Sequence, residues 1–122
     1  MKQDFKSMPP DDLVREFARI AGEQDQALMA DDYSRYNRLF DRLYEVKVEL
    51  KERAGDQRHA LIPLCEHKNA LVQLQAAIAV LKLAPELARQ TLQLVKDRKD
   101  YPASAEAYGM LRALEQGTYV PD

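Results

Sequence analysis

Two histidines and one cysteine, His59, Cys65 and His67, with Glu66 between the last two, are the side chains best suited to ligating a metal. Structural zinc takes about four ligands in a tetrahedron, and two imidazoles with one thiolate fall short unless Glu66 joins. On a helix, His59 and Cys65 are six positions apart and so lie on different faces, and Cys65 and His67 diverge likewise. The residues therefore read as structural: Cys65 as a small core residue and His67 as a turn residue. No metal and no cofactor is expected.

Nucleophilic chemistry has no better footing. Ser7, Ser34, Ser104, Thr91 and Thr118 stand outside any Gly-rich elbow. The carboxylate pairs Asp11–Asp12 and Asp31–Asp32 fall at helix boundaries, where capping accounts for them. Neither phosphate-cradling glycine pattern occurs, so nucleotide binding by those routes is excluded. The chain is not expected to be an enzyme.

The elements that would position these residues follow from composition and periodicity. With 122 residues, 46% hydrophobic and 31% charged, the chain suits one globular domain. A net charge of -2 gives no general attraction to nucleic acid or anionic lipid. A single cysteine forms no internal disulfide, which fits a reducing, cytoplasmic setting. "MKQDFKSMPP" has no apolar run after Lys2, so no secretory signal is expected, and no stretch approaches the roughly 20 apolar residues of a membrane span.

"PPDDL" reads as a helix start, with proline in the first turn and two aspartates at the positive end of the dipole. Leu13, Phe17, Ile20, Ala21, Gln24 and Leu28 then recur at helical spacing up to "ADD" at 30–32. A second stripe runs through Tyr33, Tyr36, Asn37, Phe40, Leu43, Tyr44 and Leu50, with Gly55 as its cap. Glu49 and Arg53 form a favourable i,i+4 pair on its charged face. The short joint predicts an antiparallel hairpin over 11–55, in which residues of index sum 61 face each other: Phe17 with Tyr44, and Gln24 with Asn37. The two amides are expected to bond each other as a buried polar pair. Lasting period-two alternation is absent, so no strand is expected.

The second half repeats itself. Shifting by 30 places Leu64 on Leu94, Cys65 on Val95, Ala77 on Ala107 and Leu81 on Leu111. Each unit reads as a short helix, a polar turn ("EHKN" or "DRKDYPAS") and a second helix. The units span 56–84 and 85–116, with a tail over 117–122. A helix pair of this size cannot bury its apolar face alone, so neighbours must stack. The apolar helix from Asn69 to Ala84 is then the middle element, with Ala76, Ala77 and Ala79 allowing close approach.

"HKNALVQLQAAIAVLKLAP" resembles the second helix of a HEAT-type repeat, matched by Val72, Ala76, Ala77 and Leu81, with Gln73 where that pattern carries arginine. The 30-residue period is similar to the short, phycobilisome-lyase-type variant. More broadly, "FARIAGEQDQAL", "YNRLFDRLYEVKVELKERAGD", "LIPLCEH" and "LKLAPE" resemble a small bacterial family of unknown function. The resemblance implies a single-domain, all-α fold: a short right-handed α-α superhelix of about six helices in three antiparallel hairpins.

In that register Leu71, Gln75, Ile78 and Lys82 share an outer side with Tyr101, Ala105, Tyr108 and Arg112. Second helices of stacked repeats line the surface that extended partners use. The expected partner-binding residues are Gln75, Ile78, Lys82, Tyr108 and Arg112, extended by Arg38, Arg42 and Glu45. The function expected is a non-catalytic protein-interaction module; by family analogy, one version is an immunity-type or regulatory partner of another bacterial protein. The alternative is a nucleic-acid-binding HEAT-like protein using Lys82, Arg112, Arg89, Lys96, Arg98 and Lys99, which the acidic balance disfavours. The chain is expected to be a monomer or a weak homo-oligomer.

Overall fold

Pro9 and Pro10 open the first helix because a proline φ already suits the first turn and its missing N–H is not needed there. Pro9 is the N-cap, with φ −67 and ψ 159, and α1 runs over Pro10–Met29. The computed structural model describes residues 4–122; Met1, Lys2 and Gln3, part of the stretch read for an export signal, lie outside the described residues. Every described element is helical: α1, α2 (Tyr33–Glu52), α3 (Ala70–Ala79), α4 (Pro85–Arg98) and α5 (Ala103–Gln116), with 3₁₀ segments at Phe5–Ser7 and Gln57–Glu66. The fold is all-α, and it divides into two compact units, one through Ala60 and one from Leu61.

In the first unit α1 packs on α2. Leu13, Phe17, Ile20, Ala21, Gln24 and Ala27 form the buried stripe of α1 at the spacing an amphipathic helix needs. The turn reverses over three residues, Ala30, Asp31 and Asp32. Asp31 takes the left-handed conformation (φ 54), and Asp32 caps α2 by accepting from the Arg35 N–H at 3.0 Å.

The buried face of α2 differs from the expected one. Leu43, Val46 and Leu50 are buried, with Tyr36 and Leu39 half-buried beside them. At about 100° per residue, Asn37 lies opposite Val46 and Phe40 lies about 120° from it. Asn37, Phe40 and Tyr44 are accordingly exposed. The helix phase separates the expected Gln24–Asn37 pair: Gln24 is buried in α1, whereas Asn37 faces solvent. The stripe read from the sequence had merged two faces of one helix.

After α2, Gly55 (φ 78) and Asp56 (φ 51) turn the chain, two residues beyond the C-cap at Arg53. Asp56 clamps the buried Arg58 side chain, accepting from Nε at 2.9 Å and from Nη2 at 2.7 Å. Where a short α-helix was expected around "LIPLC", the backbone is 3₁₀ over Gln57–Glu66. Pro63 lies inside it, lacks an N–H and carries a ring that crowds the carbonyl four residues back, so an α-helix is disfavoured there.

In the second unit α3 packs on α4 and α5, and α4 on α5. Asn69 caps α3, accepting from the N–H groups of Leu71 (2.9 Å) and Val72 (3.2 Å). The helix ends at Ala79, not at Ala84 as expected. Pro85 explains this, since its ring excludes a helical carbonyl at Leu81 and biases Ala84 toward extended backbone (φ −138). All of α3 except Ile78 is buried. Of the residues matched by the 30-position shift, Cys65, Val95, Ala77 and Ala107 are buried, whereas Leu94 is exposed. Gln73 ties the unit together: its Nε2 donates to the Cys65 carbonyl at 2.8 Å and its Oε1 accepts from Arg98 Nη1 at 2.9 Å. Arg98 Nη2 also donates to the Lys68 carbonyl at 2.8 Å.

Candidate functional site

Antiparallel helices joined by a short turn bring residues of constant index sum together, and α4 and α5 meet this condition. Lys96 with Tyr108, Gln93 with Leu111, and Arg89 with Glu115 each sum to 204, and all six line one cleft of about 320 Å³, with Arg112 beside them. Arg89, Gln93 and Lys96 follow the i, i+4, i+7 spacing that sets them on one face of α4.

The Tyr108 ring is the centre of the cleft. Lys96 Nζ lies 5.6 Å from its centroid and Arg112 Cζ lies 5.8 Å from it, both within cation–π range. Arg112 Nη1 donates to the Tyr108 hydroxyl at 3.1 Å, which raises the guanidinium pKa further and fixes its direction. Tyr108 is 46% exposed, so the ring remains available to another surface. Three cations, Arg89, Lys96 and Arg112, face one carboxylate, Glu115. The arrangement can hold an anionic group against an aromatic wall.

Of the residues expected to bind a partner, the structure brings Tyr108 and Arg112 into this cleft. Gln75 is buried in α3 and Ile78 is half-buried, so the expected ridge along α3 is not an open face. Leu71, which shared that face, is buried too. Lys82 is exposed, but it lies beyond the end of α3. In the first unit, Arg38 is exposed and donates from Nη1 to the Ser34 hydroxyl at 3.2 Å. Arg42 Nη1 pairs with Glu45 Oε2 at 2.5 Å, and Arg42 Cζ stacks 4.2 Å above the Phe5 ring.

The metal-like residues give no centre. Among the described residues, no group of three His, Cys, Asp or Glu side chains could hold a metal ion. His67 Nδ1 accepts from the Asn69 N–H at 3.0 Å, which fastens the turn before α3. Burial pushes the Cys65 thiol pKa up, more than the Thr91 hydroxyl lowers it, so Cys65 is a poor thiolate. Among the described residues, no helix is long and apolar enough to cross a membrane.

Residues 11–115 match the model of a domain of unknown function, DUF2019. The chain belongs to the DUF2019 family. This DUF2019 chain is 43% identical to the protein RPA1889 from Rhodopseudomonas palustris CGA009, whose crystal structure it matches with a TM-score of 0.95 over 99% of this chain and 100% of that one. No curated protein matches it. Within the DUF2019 chain, the sequence reading had set Lys96 and Arg89 apart from Tyr108. The constant-sum rule used on the first hairpin, applied to 85–116, would have joined them.

Proposed function

We propose that this DUF2019 chain is a non-catalytic protein-interaction module of HEAT-like build, and that the α4–α5 cleft receives an acidic segment of its partner. The observation that carries this reading is the half-exposed Tyr108 ring flanked by Lys96 and Arg112. Tyrosine and arginine are enriched where binding energy concentrates, and an aromatic wall between cations suits a carboxylate-bearing chain with some apolar surface. A regulatory or immunity-type partner of another protein is the role this surface would serve.

The test is a ¹⁵N NMR titration with three probes: a short Glu-Leu peptide, a Lys-Leu peptide of equal length, and a duplex DNA. The Glu-Leu peptide should move the amide signals of Lys96, Tyr108 and Arg112. Its affinity should fall roughly ten-fold in Tyr108→Ala and in Arg112→Glu. Both residues are exposed, so the melting temperature should hold. Unmoved cleft signals, or wild-type affinity in both variants, overturn the reading. Tighter binding of DNA than of the peptide at these signals moves the cleft to the nucleic-acid alternative.

A further inference from the structure

The first unit holds a second cleft, of about 360 Å³, where the N-terminal 3₁₀ turn lies against α2. Several contacts shape it. Phe5 is buried, and Arg42 stacks over its ring at 4.2 Å. Arg53 Nη2 donates to the carbonyls of Phe5 at 3.1 Å and Lys6 at 3.4 Å, and the Asp4 carboxylate accepts from the Lys6 N–H at 3.1 Å. Arg42 of α2 and Arg53 at its C-cap thus pin the turn in place, and both stand outside the lining.

Their carboxylate partners stand inside it. Glu45 pairs with Arg42 at 2.5 Å and Glu49 with Arg53 at 2.8 Å, and each lines the cleft. Asp4 and Glu52 complete the rim, against Lys6 as the one cation of the lining. The remaining lining is apolar, from Phe5, Tyr44 and Val48, and Tyr44 is 55% exposed. The exposed aromatic face of α2 continues toward its N-terminus through Phe40 and Tyr33.

We infer that this cleft is a docking site for a basic segment of a partner protein, taking a lysine or arginine side chain. An aliphatic stem would lie on Tyr44, Val48 and the Phe5 edge, while the cationic head meets the rim carboxylates. The charge of the lining selects the occupant. Arg42 and Arg53 offset Glu45 and Glu49, so an acidic segment would meet the remaining negative rim of Asp4 and Glu52 against Lys6 alone, whereas a neutral apolar one would strip water from that rim without replacing it. The site uses different residues, and the opposite charge preference, from the Tyr108 cleft.

A ¹⁵N titration with the Lys-Leu peptide tests the site, and its readout is separate from that of the Tyr108 cleft. Signals of Phe5, Tyr44 and Val48 should move with the Lys-Leu peptide and stay still with the Glu-Leu peptide. Affinity should fall as salt rises from about 20 to about 300 mM. Glu52→Lys and Tyr44→Ala should each weaken binding roughly ten-fold with unchanged melting temperature, and Tyr44→Phe should retain it. Equal response to both peptides, still signals at the three positions, or wild-type affinity in Glu52→Lys overturns the proposal. So does movement of those signals on raising protein concentration alone, which would assign the face to a second copy of the chain.

Discussion

Arg98 of α4 donates from Nη1 to Gln73 Oε1 of α3 at 2.9 Å, while Gln73 Nε2 donates to the Cys65 carbonyl at 2.8 Å. The glutamine thus links the α4 guanidinium to the segment before α3. Gln73 is buried, so its amide must be satisfied on both ends.

Gln73→Ala should destabilise the chain by roughly 2 kcal/mol, because it leaves the Cys65 carbonyl buried without that donor. Arg98→Ala should cost about 1–2 kcal/mol. A double-mutant cycle by urea denaturation should return a coupling of about 0.5–1.5 kcal/mol between them. Additive effects would show that the relay carries no energy.

The Asp56–Arg58 clamp sets an acid limit. Hydrogen bonds from Arg58 hold the Asp56 carboxyl below its ordinary pKa. A depressed folded pKa favours the ionised folded form, so this stabilisation is full above the unfolded value of about 3.9 and is lost as pH falls below it. Asp56→Asn keeps a residue type that tolerates φ 51 but removes the charge beside the buried guanidinium. It should cost roughly 2–3 kcal/mol at pH 7, and the gap to wild type should narrow on acidification below about pH 4. Urea midpoints across pH measure this.

The corrected phase of α2 has its own signature. Asn37→Ala should change stability by less than about 0.5 kcal/mol, whereas Leu43→Ala and Leu50→Ala should each cost about 2–4 kcal/mol. A costly Asn37→Ala would return this residue to the core face and restore the amide pair.

Lys99 ends α4 in the left-handed conformation, φ 59, with its N–H on the Lys96 carbonyl. Glycine takes that conformation without a Cβ penalty. Lys99→Gly should therefore stabilise the chain by about 0.5–1 kcal/mol in thermal unfolding, and a loss of stability would show that the lysine side chain contributes there.

Local signals in the sequence located most of the helices. Pro9, Pro10, Asp32 and Gly117 mark helix ends through their own dihedral and capping preferences, which need no tertiary context. The phase of α2 was less legible, because aromatic residues occupy both faces and hydrophobicity alone does not separate a core stripe from an exposed one. The burial of Gln75 escaped the pattern reading for a related reason: the register set it on an outer side, while α3 is enclosed at that position. For the Tyr108 cleft, the residue types were readable in advance, but the pairing across α4 and α5 required the hairpin geometry.

Nine of the ten residues of α3 are enclosed, and this restricts how such a chain can diverge among related genomes. A volume change at any of them needs a compensating change in a neighbour, so substitutions there should accumulate slowly and in correlated groups. The outer sides of α2, α4 and α5 are free of that constraint. Lineages adapting to new partners would therefore leave their record on the periphery, and the middle helix would serve as the conserved thread by which distant members are aligned.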